Sequence, residues 1–183
     1  MPYAVELFFD HQTDALIRKV WADVSREIGQ PDTMTIKGSR PHLALAVFEN
    51  SGDLGKVLHS VEEYARSQRS FGIRLDSIGT FSGPEGAVFL GATPGTLLLE
   101  AHAHSHSGLT GLMQDPRSYY EVGKLTFHCT LCMGLSDDLL GRALIAARQL
   151  SLPIVGRVES VGLVKFPKTE FLGEFSLAEG PRS

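Results

Sequence analysis

Two histidines occupy matching contexts in this chain, Arg40-Pro41-His42-Leu43-Ala44-Leu45 and Thr126-Phe127-His128-Cys129-Thr130-Leu131. Imidazole titrates near neutrality, so of two rings facing one space, one can be neutral and accept a proton while the other is charged and gives one. Side chains alternate along an extended strand, which puts Ala44 and Ala46 on the face of His42, and Leu43, Leu45 and Val47 on the other. By the same alternation His128, Thr130 and Cys132 share a face. Small neighbours leave room beside each ring and large apolar residues anchor the back, a pattern suited to a groove floor. A second cluster, His102-Ala103-His104-Ser105-His106, follows Leu97-Leu98-Leu99 and reads as helix, where His102 and His106 share a face and His104 points elsewhere. No carboxylate follows Glu100 in that segment, so it makes a poor metal site and no metal is expected. Cys129 and Cys132, three apart in a strand, are expected to project to opposite faces and to serve as small buried hydrophobes.

The elements that must carry the histidines alternate. Strands are expected over Tyr3 to Phe9, His42 to Phe48 and Gly72 to Phe81, with helices from about Thr13 to Ile28 and from Asp53 to about Gln68. Leu16, Val20, Val24 and Ile28 recur at helical spacing in the first helix, and Gly29 and Pro31 end it. The same order then returns: strand Ala87 to Ala92, helix Pro94 to about Ser107, strand Leu125 to Met133, helix Ser136 to Leu150, strand Pro153 to Phe166. A last strand, Phe171 to Leu177, is an addition. Arg74-Leu75-Asp76-Ser77-Ile78-Gly79 matches Arg157-Val158-Glu159-Ser160-Val161-Gly162 at a shift of 83 residues, and the histidines lie 86 apart. Two segments at nearly one shift predict an internal duplication. The expected fold is α+β, with duplicated β-α-β-α-β lobes related by a pseudo-twofold axis. Two sheets containing antiparallel strands would line a central groove, helices outside. It would be one two-lobed domain over 1–183, the lobes spanning about 1–83 and 84–183. Segment Leu109 to Lys124 reads as an irregular loop, and residues Glu179 to Ser183 as a frayed end.

A length of 183 residues, 43% hydrophobic and 21% charged, fits one globular domain with a sizeable core. A net charge of −4 and a pI near 6.0 disfavour wrapping of long duplex nucleic acid, which needs clustered Lys and Arg. The start shows no secretory signal and no apolar run reaches membrane-spanning length, so no membrane partner is expected. With two cysteines only, a reducing cytoplasm is the expected location.

The paired motifs resemble those of the two-histidine phosphoesterases, the superfamily of 2′-5′ RNA ligase-like proteins and cyclic nucleotide phosphodiesterases. Its mark is a His-x-Thr/Ser-x motif occurring twice; here His42-Leu43-Ala44-Leu45 and His128-Cys129-Thr130-Leu131 match, with Arg40-Pro41 ahead of the first and Gly134-Leu135 after the second. Alanine at position 44 departs from the pattern. The resemblance implies a metal-independent phosphoesterase acting on a 2′,3′-cyclic phosphate or 2′-5′ phosphodiester of a small nucleotide or RNA end, without cofactor. His42 and His128 would be the acid and base, in either order. Thr130 would bind phosphate, and Arg40, two residues before His42, could replace the hydroxyl that Ala44 lacks. Tyr119 and Tyr120 could stack a nucleobase or merely pin their loop. The alternative is a weakly or non-catalytic nucleotide or RNA-end binding module of the same fold. Neither the substrate nor the oligomeric state is written in these residues.

Overall fold

The computed structural model describes residues 2–180. In chain order the elements are β1 (Tyr3–Phe9), α1 (His11–Ile28), α2 (Thr33–Ile36), β2 (His42–Ser51), α3 (Leu54–Ser67), β3 (Phe71–Thr80), β4 (Val88–Ala92), α4 (Thr96–Leu109), β5 (Met113–Pro116), a 3₁₀ turn (Ser118–Tyr120), β6 (His128–Cys132), α5 (Asp137–Ala147), β7 (Ile154–Lys165) and β8 (Glu170–Ser176). The fold is α+β, and every strand pairing is antiparallel.

The strands form one hydrogen-bonded path, β5-β2-β1-β7-β3-β4-β6, with β8 on β7. The expected two sheets are therefore two arms joined through one long strand. The first part of β7, Ile154 to Val158, pairs with β3, whereas the remainder pairs with β1 on one edge and β8 on the other. Each arm takes its third strand from the other half of the sequence: β3 lies with β4 and β6, and β7 with β1 and β2. Leaving aside the edge strands β5 and β8, the order β2-β1-β7-β3-β4-β6 reads the same from both ends when β1 is exchanged with β4, β2 with β6 and β7 with β3, the arrangement an internal repeat would produce.

Helices and sheet close over one large core. Asp10 starts α1 by accepting hydrogen bonds from the Thr13 amide at 2.9 Å and the Thr13 hydroxyl at 2.6 Å, while Gly29, at φ 69°, ends it in the left-handed conformation. The buried stripe of α1 is Ile17, Val20, Trp21, Val24 and Ile28; Leu16, expected inward, is 45% exposed because the stripe runs through Ile17 and Trp21. A smaller cluster of Ala4, Phe8, Ala44 and Val47, with Val164, lies on the opposite sheet face, packed by Tyr120 and Phe166.

The short helix α2 was not expected, and two further segments differ from expectation. The segment Leu109 to Lys124 contains β5, a four-residue edge strand that pairs with the far end of β2 (Phe48 to Pro116, Asn50 to Gln114, Ser51 to Met113). Proline is tolerated there because the edge needs no donor. At the carboxyl end the Ser70 amide donates to the Ala178 carbonyl at 2.8 Å, and the Ser70 hydroxyl accepts from the Gly180 amide at 3.0 Å, so 178–180 are tied down; residues 181–183 lie outside the described ones. No helix among the described residues is long and apolar enough to cross a membrane.

Candidate functional site

Each histidine begins its strand, and each strand carries a bulge at the same place. Along β1 and β2 the partners run Phe8 to His42 and Glu6 to Ala44, then jump to Val5 opposite Ala46. Along β4 and β6 they run Gly91 to His128 and Phe89 to Thr130, then jump to Val88 opposite Cys132. An extra residue in one strand reverses the facing of all that follow. Simple alternation fails there. Val47, not Ala46, joins His42 and Ala44 on the groove face, while Ala46 enters the main core. Met133, not Cys132, joins His128 and Thr130, and Cys132 falls on the same core side as Cys129 rather than the opposite one. Positions 42, 44 and 47 thus map onto 128, 130 and 133 at one shift of 86.

Helical side chains hold the backbone at both bulges. The Trp21 indole on α1 donates to the Thr130 carbonyl at 2.9 Å, and His106 Nε2 on α4 donates to the Leu45 carbonyl at 3.0 Å. His102, its ring 4.7 Å from that of His106, donates from Nε2 to the Tyr120 carbonyl at 2.8 Å. These two histidines share a helix face as expected, with structural hydrogen bonds at Nε2; His104 points away, its Nδ1 2.7 Å from the Gln68 amide. Burial pushes the His102 pKa down, aided by His106, against the pull of the carbonyls.

His42 and His128 open onto a shared cavity of about 660 Å³. His42 Nδ1 lies 2.6 Å from the Arg40 carbonyl, and His128 Nδ1 lies 2.7 Å from the Thr126 carbonyl. A carbonyl can only accept, so each Nδ1 carries a hydrogen and each Nε2 is left free to exchange a proton. The surroundings of the rings differ. Glu6 Oε1 lies 3.4 Å from His42 Nε2. His128 instead sits against the rings of Phe81 and Phe89, with centroids at 4.8 and 5.2 Å. Burial there pushes the His128 pKa down, helped by the charge of His42 and opposed by the Thr126 carbonyl and Glu85.

Thr130, Tyr119 and Tyr120 line the same cavity. Tyr120 is mostly buried, and burial pushes its phenol pKa up; Tyr119 is 53% exposed at the rim, its ring 4.9 Å from that of Tyr120. The loop is thus pinned by one ring while presenting the other. Arg40 is not among the lining residues. Its guanidinium lies over the Phe8 ring, 2.7 Å from Glu174 and 3.7 Å from Asp14, because two carboxylates distant in sequence converge on it.

Sequence reasoning missed several cavity groups, among them Glu6, Lys37 and Arg117. Glu6 was hidden as an ordinary polar residue in a strand, although a lone carboxylate within Val5-Glu6-Leu7-Phe8 was a signal. Lys37, at the end of α2, points its ammonium at the Met133 sulfur, 3.1 Å away. Arg117 also lines the cavity, bonded to Glu49 at 2.9 Å and to the Tyr119 hydroxyl at 3.3 Å.

Comparison with known proteins places this arrangement. The fold is similar to that of TT0787 of Thermus thermophilus, with a TM-score of 0.65 at 19% identity over 98% of this chain and 99% of that one. It is also similar to E. coli LigT complexed with 3′-AMP, with a TM-score of 0.60 at 19% identity over 98% and 100% of the two chains. A crystal structure described as a phosphoesterase aligns with a TM-score of 0.58 at 20% identity, over 97% of this chain and 98% of that one. No curated protein sequence matches. The sequence pattern of the 2′-5′ RNA ligase superfamily matches residues 12–170, which span both histidine strands, and the chain belongs to that superfamily.

Proposed function

We propose that this protein is a metal-independent phosphoesterase that cleaves a 2′,3′-cyclic phosphate or a 2′-5′ phosphodiester of a small nucleotide or RNA end by paired-histidine acid and base catalysis. The observation that carries this is the equivalent tethering of two imidazoles in one cavity, each with Nδ1 on a carbonyl two residues back, which leaves Nε2 to exchange the proton. One ring takes the proton of the attacking water, the other protonates the departing oxygen, and both proton transfers are provided by side chains already present. Membership of the superfamily supports a phosphoester substrate, and the nucleotide-bound LigT structures support a small nucleotide.

Within this proposal the Thr130 hydroxyl and the Lys37 ammonium bind nonbridging phosphate oxygens, and Tyr119 offers an exposed ring to a base. Arg40, held by Glu174 and Asp14, is not assigned to phosphate. Ala44 favours a second reading, a nucleotide-binding module with weak turnover, since one hydroxyl donor is lacking. Hydrolysis of 2′,3′-cyclic AMP with EDTA present separates the readings. Wild type should turn over, and His42→Ala and His128→Ala should each lose about 10²–10⁴ in rate. Full activity in either variant would overturn the mechanism, and binding without turnover in wild type would favour the module.

A further inference from the structure

Glu6 lies directly across the β1–β2 ladder from Ala44, the position without a hydroxyl. It is 7% exposed and lines the cavity, with Oε1 3.4 Å from His42 Nε2. The Arg40 carbonyl fixes hydrogen on Nδ1 of that ring, so a neutral His42 presents a lone pair at Nε2. An ionised carboxylate presents lone pairs as well. Two acceptors facing each other in a buried site repel; one proton between them makes a charge-assisted contact instead. The position equivalent to Glu6, across from Thr130, is Phe89, whose ring packs on His128. An aromatic ring thus stands where the first half has a carboxylate.

We infer that Glu6 is a positioning residue that keeps a proton on the His42 side of the cavity, so that His42 donates a proton and His128 accepts one. This role exists only if the cavity cleaves phosphoesters as proposed above. In hydrolysis of a cyclic phosphate, His128 Nε2 takes a proton as the water oxygen bonds to phosphorus. The bond from phosphorus to the ribose oxygen breaks, and that oxygen receives the proton held by His42 and Glu6. Solvent then returns the proton from His128 to the pair, so the net change is addition of one water.

Neighbouring charges are consistent with the assignment. Arg40 acts on Glu6, but its guanidinium is engaged by Glu174 on β8 and Asp14 on α1. From β6 His128 shares the cavity with the pair, while the Cys129 thiol lies on the core side of that strand; around the cavity stand Lys37, Glu85, Arg117, Tyr119, Tyr120 and Lys124. Burial pushes the Glu6 pKa up, against His42 and Arg40, so the carboxyl competes for the proton rather than ceding it to solvent.

The test is the pH profile of kcat/KM for 2′,3′-cyclic AMP in wild type and Glu6→Gln. Removing the carboxylate should move the alkaline limb, where the acid loses its proton, downward by about one to three pH units, with the acidic limb in place. A loss equal at every pH, or an unmoved alkaline limb, would overturn the role. Independently of any variant, NMR titration of wild type should show the Glu6 carboxyl titrating above its ordinary value, as burial dictates; a carboxyl titrating at or below that value would also overturn the role. If His42→Ala and His128→Ala retain full activity, the phosphoesterase proposal itself fails. If they lose activity while the Glu6→Gln limb is unmoved, only the role of Glu6 fails.

Discussion

Lys37→Met is the most informative single change at the cavity. The Lys37 ammonium has the Met133 thioether as its acceptor, a neutral sulfur 3.1 Å away that leaves the charge uncompensated. A phosphate oxygen arriving there would gain a charge-assisted hydrogen bond, about 1.5–3 kcal/mol. Coulomb attraction brackets the same range: at 4 Å, about 1 kcal/mol in bulk water and about 4 kcal/mol at the effective dielectric of a protein surface. Taking about 2 kcal/mol for a half-buried lysine, and about 1.4 kcal/mol per decade, kcat/KM for 2′,3′-cyclic AMP should fall about 30-fold. Methionine keeps the apolar stem, so packing against Met133 persists and the melting temperature should change little. The assay is steady-state hydrolysis between about 0.01 and 1 M salt, over which the screening length shrinks from about 30 to about 3 Å. Wild type should lose activity with salt more steeply than the variant. A variant within about threefold of wild type, or with an equal salt dependence, would refute a phosphate contact at Lys37.

Two further changes probe the scaffold and the second half of the site. Thr130→Val removes the hydroxyl while Trp21 still holds the backbone carbonyl, so kcat should drop about 10²–10³ with the fold intact by circular dichroism; a drop below about fivefold would reassign the donor. Asp10→Ala removes acceptors from the Thr13 amide and from the Arg157 amide at 2.7 Å on β7, at a cost of about 1–2 kcal/mol in a denaturant melt at pH 7. Burial raises the Asp10 pKa, but its hydrogen bonds outweigh this and hold it below the usual 3.8; its stabilisation is therefore full above that value and fades as pH falls through the lower folded one. The gap between wild type and variant should accordingly narrow in acid.

The histidine pair and most strand and helix positions were legible because apolar alternation and helical periodicity act within a few residues. What escaped depends on partners far away. Nothing in Leu43-Ala44-Leu45-Ala46-Val47 announces a bulge, which appears only when β1 pairs beside it, so Val47 was assigned to the wrong face and Ala46 and Cys132 to the groove. β5 is too short to show a period and exists because β2 extends to Ser51. Arg40 looked available until β8 brought Glu174 to it. Lys37 sits in the irregular stretch before the first motif, where periodicity carries no information.

Strand β7 belongs to both arms at once, bonded to β3 along its first part and to β1 beyond it. The two ladders meet at Val158, which pairs with Phe9 on one edge and Phe71 on the other, so the arms are joined by paired backbone rather than by a linker. The separation of the two histidine strands is therefore a property of folded backbone rather than of a closing motion. Adaptation to ligands of different length falls to the rim, where Phe81 to Ala87 and Arg117 to Thr126 contribute lining side chains. Exchanging these rim segments would change the reach of the cavity while the strands that carry the imidazoles stay paired in the sheet.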